Sequence, residues 1–332
     1  MPTIADVPLD AAFWIWGCVL AVFLGFAIYP ILTLGPYIRA GCRINIHRNR
    51  IPPDNKVRQP NPNGDAFVLF LSGVGRVSAL TMSRREQGIL HRLAELCSDA
   101  VLLDDVFAYS INNLPLVSHR RLSPMWRWAL RHKLRKRLHN SALGYLINLR
   151  NILHILISAD SRYAMVYNRG CAHVITDHLQ QYGYDLAQPK PLVIVSYSGA
   201  GQIAAGAVQH LSDEYRLPVY VLMLACFFTA SGIDRASHVW EFIGTTDQAY
   251  RFCLLFSPSR WLIPRLSLWR RLTAAGRTTR IDMGAMKHTG RGGYLDRNSV
   301  TPEGVPFIDA TAQAMADVIN RIRTGTESPK EV

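Results

Sequence analysis

The chain has 332 residues, 49% of them hydrophobic and 18% charged, which is too apolar for an intrinsically disordered protein and too short for more than about two domains. Lysine and arginine number 37 against 24 acidic residues, a formal net charge of +13 that calls for an anionic neighbour, either nucleic acid or a negatively charged lipid surface. Six cysteines (Cys18, Cys42, Cys97, Cys171, Cys226 and Cys253) stand far apart with no CxxC pair and no His/Cys grouping, so neither a zinc site nor a disulfide framework is expected.

Residues 1–10 read as a short tail, and residues 11–38 follow with no charged side chain. These 28 residues exceed the roughly 20 that a helix needs to cross a bilayer. The first ten residues hold Asp6 and Asp10 and no lysine or arginine, which is wrong for a cleaved signal peptide. Arg39, Arg43, Arg48, Arg50, Lys56 and Arg58 come directly after the apolar run. The positive-inside rule then places the amino terminus outside and the rest of the chain on the cytoplasmic side of a single-pass membrane protein. Residues 39–65, rich in Pro, Asn and Arg, read as a basic linker.

From residue 66 to 323 apolar strands alternate with helices. Ala66–Leu71 reads as a strand ending in the glycine turn Ser72-Gly73-Val74-Gly75. A capping box from Ser83 to Glu86 opens a helix that runs to about Cys97, and Ala100–Leu103 is a second strand. Helical periodicity returns over Arg169–Tyr182, Leu192–Val195 is a third strand, and a small-residue-rich helix spans Ser198–His210. Pro218–Leu224, Val239–Ile243 and Thr279–Met283 are further strands, and a last helix covers Ala310–Arg323 before the tail 324–332. Continuous apolar strands separated by helices predict an α/β fold, a mostly parallel sheet flanked on both faces by helices. Ligands in such sheets bind beyond the carboxyl ends of the strands.

Directly after Leu192–Val195 comes Ser196-Tyr197-Ser198-Gly199-Ala200-Gly201 and then a helix. A sharp strand-to-helix turn strains its central residue and demands small neighbours two positions away on each side. Ser196 and Ala200 meet that size demand, although they replace the glycines of G-x-S-x-G. Between a strand and a helix this arrangement resembles the nucleophile elbow of the α/β-hydrolase superfamily, with the likeness extending over about residues 66–323. The resemblance implies Ser198 as nucleophile, followed in chain order by an acid and a histidine, each on a loop after a strand. Asp247, in the Gly244-Thr245-Thr246-Asp247 turn, stands where the family has its acid, and His288, in MGAMKHTGRGG, where it has its base. Asp247 also suits a helix N-cap, and His288 a solvated basic loop beside Lys287 and Arg291. Glu241 and Asp282 are alternative acids inside strands, and His210 and His238 alternative bases. The family's oxyanion hole implies the Gly199 N–H as one donor and Gly73 or Val74 as the other. The chemistry needs no metal or organic cofactor.

Between Val106 and Ala159 there is no acidic residue in 54 positions, but nine lysines and arginines, with Trp126 and Trp128 among them. Residues from about 106 to 166 therefore read as a helical basic insert. Its MWRWALRHKLRKRL stretch is amphipathic, whereas LGYLINLRNILHILI fits an interfacial or buried helix better than a second span, because Arg150 interrupts it. Gln248–Ile281 is a second acid-free region, holding Trp261, Trp269, Arg260, Arg265, Arg270, Arg271, Arg277 and Arg280. Basic clusters with tryptophans near a membrane anchor suit an anionic leaflet. Nucleic acid is not expected as a partner, because no nucleic-acid motif is present and a tethered protein meets lipid first. The expected function is a membrane-anchored serine hydrolase of carboxylic esters, with lipid-like or apolar acyl substrates. A non-catalytic hydrolase-fold protein binding lipid or a partner, and an acyltransferase with the same triad, are the alternatives.

Overall fold

The computed structural model describes residues 64–78, 82–111, 113, 142–229, 231–255, 257, 260 and 267–326, together with Pro30, Leu34, Gly35 and Ile38. The chain divides into an amino-terminal unit, Met1–Arg43, and a second unit from Ile44 onward. The expected span over 11–38, apart from those four residues, lies outside the described residues, as do the linker up to Asn63 and the amphipathic stretch at Trp126 and Trp128. Among the described residues, no helix is long and apolar enough to cross a membrane.

The second unit is built on a six-stranded sheet in the order β2-β1-β3-β4-β5-β6, formed by β1 (Ala66–Leu71), β2 (Ala100–Leu103), β3 (Leu192–Tyr197), β4 (Val219–Leu224), β5 (His238–Ile243) and β6 (Thr278–Asp282). Every neighbouring pair is parallel, which requires a crossover between strands and leaves both faces to be covered. Hence β1 and β4, AFVLFL and VYVLML, are buried at all six positions and do not alternate with polar residues. The edge strand β6, TTRID, is polar and partly exposed because only β5 pairs with it.

The helices are α1 (Arg84–Leu96), α2 (Ala142–Ala159), α3 (Ala164–Gln181), α4 (Ala200–Asp213), α5 (Gln248–Leu254), α6 (Leu268–Ala274) and α7 (Phe307–Arg323). The α1 helix starts with the full reciprocal capping box of Ser83 and Glu86. It packs with α7 over Val68, Phe70, Val195, Leu222, Trp240 and Phe242, the strand residues of one face. The opposite face carries α4, and α3 and α2 lie against α4. The α4 helix is rich in Ala and Gly because it lies close to the sheet: a Cβ at Gly201 would collide with Cys226, in the loop after β4.

Strand expectations hold to within two residues, whereas helix starts move further. The helix expected from Arg169 starts at Ala164 and the last one at Phe307. The α2 helix is buried on one side at Ile147, Asn151, His154, Ile155 and Ser158. Arg150, which interrupts its apolar run, is drawn back onto the body, where Nη1 donates to the Tyr109 carbonyl at 2.8 Å.

The chain runs from β1 outward to β2, then returns to the far side of β1 with β3 and continues through β6. The winding thus reverses between β1 and β3, and ligands of such sheets bind beyond the carboxyl ends at this point. The loops after these two strands are Ser72–Gly75 and Ser198–Gly199.

Candidate active site

Ser198 directly follows β3 with φ of +56°, a left-handed backbone that a non-glycine residue adopts only when its surroundings impose it. Two of those constraints are its N–H, which donates to the Leu224 carbonyl at 3.0 Å, and the start of α4 two residues later. Glycine at 199 lets side chains approach the backbone, since a Cβ there would lie 2.5 Å from Ile155 Cδ1 and 2.8 Å from Val74 Cγ1. The turn after β1 lies alongside: a Cβ at Gly73 would lie 3.6 Å from Ser198 Cβ, an ordinary contact.

The Ser198 Oγ–H faces His288 Nε2 at 2.8 Å, and His288 Nδ1–H faces Asp247 Oδ2 at 3.0 Å. Three residues separated by 41 and 90 positions thus form one hydrogen-bonded chain. Two loops bring the imidazole and carboxylate together. In the loop after β5, Thr245 N–H donates to the Gly284 carbonyl at 2.7 Å and Thr246 Oγ1 to the Met286 carbonyl at 3.0 Å, which clamps that loop to the one carrying His288. Gly244 permits this approach, since a Cβ there would strike Met286 O.

Asp247 is fully buried and both its oxygens are occupied. Oδ1 caps α5 by accepting the Tyr250 N–H at 2.9 Å, while Oδ2 takes the His288 N–H and the Tyr294 hydroxyl, the latter at 3.0 Å. The helix-cap and acid readings of this residue therefore coexist. Burial by itself would raise the Asp247 carboxyl, but the hydrogen bonds from His288, Tyr250 and Tyr294 and the neighbouring imidazole outweigh it and hold the carboxyl below its usual value. Tyr197 steadies the other side of the histidine: its ring stacks on the imidazole at 5.9 Å and its hydroxyl donates to the His288 carbonyl at 2.7 Å.

The alternative residues lie in other interactions. Glu241 pairs with Arg260, and Asp282 accepts the Gly284 N–H. His210 pairs with Glu214, and His238 meets Thr279 Oγ1. Sequence reasoning missed Tyr294, Tyr197 and Asn151. Tyr294 lies six residues after His288, but no spacing rule marks a tyrosine that orients a carboxylate. Among the described residues no group of three His, Cys, Asp or Glu side chains could hold a metal ion.

The two backbone N–H groups expected as oxyanion donors are also close together. Gly199, at the amino end of α4, offers an N–H that the helix does not use. The Ser72–Gly75 turn is closed by Arg76 N–H donating to the Gly73 carbonyl at 3.3 Å, so the planar Gly73–Val74 peptide directs the Val74 N–H the opposite way. Ser72 Oγ bonds Glu86, and the Ser72 carbonyl accepts the Tyr109 hydroxyl at 3.2 Å.

Burial pushes the Cys226 and Cys171 thiols up to about 12 and Cys97 up to about 11, which suppresses their thiolates. Iodoacetamide at pH 8 is expected to leave these three unmodified in the folded protein and to react at the less buried Cys253. Peptide mass spectrometry reads the outcome, and alkylation of Cys226 without unfolding would contradict the packing described.

No protein-family model and no curated protein matches this sequence.

Proposed function

We propose that the protein is a serine hydrolase of carboxylic esters, with the α/β-hydrolase arrangement of its site. The supporting observation is the unbroken Ser198–His288–Asp247 hydrogen-bond chain on a left-handed serine at the sheet's switch point. In this reading His288 Nε2 takes the hydroxyl proton as Ser198 Oγ attacks the ester carbonyl carbon. The carbonyl oxygen becomes an oxyanion facing the N–H groups of Gly199 and Val74. The imidazolium returns its proton to the leaving alcohol, and an acyl-enzyme remains. Water then repeats the sequence, with His288 as base, to release the acid and restore Ser198. Asp247 keeps the imidazole in the tautomer whose Nε2 can accept.

The residues around the elbow favour an apolar acyl group: Val74 and Ile155 press on Gly199, and Phe227 lies nearby. The far side of α2 exposes Leu149, Ile152 and Leu156, an uncharged stripe at helical spacing. Together with the uncharged 11–38 run and the acid-free 106–159 stretch, this supports action at an anionic membrane, on lipid-like esters, from the cytoplasmic side.

A fluorophosphonate probe tests the reading, because it phosphonylates only a serine activated by its neighbours. The parent protein is expected to be labelled at Ser198 and to hydrolyse p-nitrophenyl butyrate, and Ser198→Ala to do neither. An unlabelled parent, or equal labelling of Ser198→Ala, rejects hydrolysis at this site and leaves a binding role for the fold.

A further inference from the structure

Asn151 is fully buried in the middle of α2, a helix rich in isoleucine and leucine. A primary amide in such a place is costly unless each of its groups is bonded. Here each is. Nδ2 donates to the Val74 carbonyl at 2.7 Å and to the Arg76 carbonyl at 2.8 Å, and Oδ1 accepts Arg150 Nη1–H at 2.9 Å. The arginine bond fixes which end of the amide faces the turn.

Both donors of this amide go to one short turn 75 and 77 positions away, the turn that follows β1 beside Ser198. The carbonyls of residues 74 and 76 are thereby anchored to α2, while Tyr109 anchors the carbonyl of residue 72. The Val74 N–H is coplanar with the Gly73 carbonyl, which accepts the Arg76 N–H at 3.3 Å, so holding residue 76 in place also holds the direction of the Val74 N–H. The same helix seats Ile155 on Gly199, one turn further along. One rigid element thus governs the positions of both N–H groups that flank the serine.

We infer that Asn151 is a positioning residue for the oxyanion hole, holding the Val74 N–H in register with that of Gly199; this rests on the hydrolase reading. Its effect is confined to the step in which negative charge develops on the substrate oxygen, so its loss lowers kcat and spares KM.

The full-length parent, Asn151→Ala and Asn151→Ser are compared on p-nitrophenyl butyrate, with active sites counted by fluorophosphonate titration so that misfolded molecules do not enter the rate. Asn151→Ala is expected to lose about 10²-fold in kcat, the scale of one missing oxyanion donor, with KM changed less than about threefold. Asn151→Ser keeps one donor and is expected to recover part of that loss. The advantage of the oxygen ester over its thiono analogue should shrink in Asn151→Ala, because sulfur draws less from hydrogen-bond donors. Titrated sites of either variant turning over at the parent's kcat, with an unchanged thiono ratio, overturn the inference while the hydrolase reading stands. If Asn151→Ala does not fold, Asn151→Ser decides, since parental kcat and thiono ratio in that variant are equally fatal. A parent that the probe does not label removes the hydrolase reading itself, and this inference with it.

Discussion

Asp247→Asn is expected to lower kcat for ester hydrolysis by about 10⁴-fold while leaving the fold in place. The substitution preserves shape, and the asparagine Oδ1 still caps α5 through the Tyr250 N–H. That bond determines what the other end presents: an Nδ2 donor where Oδ2 accepts from His288 Nδ1 and from the Tyr294 hydroxyl. Two donors cannot share this position, so the imidazole must carry its proton on Nε2 instead. In that tautomer it has nothing with which to accept the Ser198 proton. Initial rates on p-nitrophenyl butyrate measure the effect, and a loss below about tenfold would show that Asp247 does not orient the base. Acid stability gives a second reading. A carboxyl held below its usual value stabilises the fold above its unfolded pKa, about 3.9, and this contribution disappears as pH falls through the lower folded value. The parent is therefore expected to lose more stability than Asp247→Asn on acidification below about pH 4, as read by urea unfolding at each pH.

The sheet was legible in the sequence because its strands are buried on both faces. AFVLFL, LVIV and VYVLML are continuous apolar runs of strand length, bounded by turns, and no competing pattern confuses them. Ser198, Asp247 and His288 could be proposed from the resemblance and chain order, since each follows an expected strand. What holds them together could not. The close approach of the 244–247 and 284–288 loops depends on backbone carbonyls, which carry no residue label. Tyr294 and Asn151 act through hydrogen bonds to atoms tens of residues away, and a tyrosine or asparagine has many ordinary uses. The start of α3 moved because its N-cap residue, Tyr163, makes no side-chain cap, so no capping residue announces it. Arg260 belongs to a basic, acid-free stretch expected to suit an anionic leaflet, yet this arginine is itself turned into the protein.

Arg260→Ala is expected to destabilise the fold by about 3–5 kcal/mol, far more than loss of a surface pair. Arg260 Nη2 bonds Glu241 Oε1 at 2.7 Å, with the two side chains only 4% and 5% exposed. The guanidinium carbon lies 4.5 Å from the Phe228 ring centre and 4.6 Å from that of Trp269, and the Tyr250 hydroxyl donates to the same carboxylate oxygen at 3.4 Å. Removing the cation strands a buried carboxylate in the middle of β5 and opens a void between two aromatic rings. The pair itself is a different matter. Among the described residues, Arg260 Nε and Nη1 are buried without a hydrogen-bond partner, so the desolvation of the cation is only partly offset. The double variant Glu241→Leu/Arg260→Met fills similar volume without charge and is expected to come within about 1 kcal/mol of the parent or to exceed it. Urea unfolding of the three proteins separates these effects. A small loss in Arg260→Ala would mean that Glu241 finds water or another cation, and that β5 is less sealed than its packing against Phe228, Tyr250 and Trp269 implies.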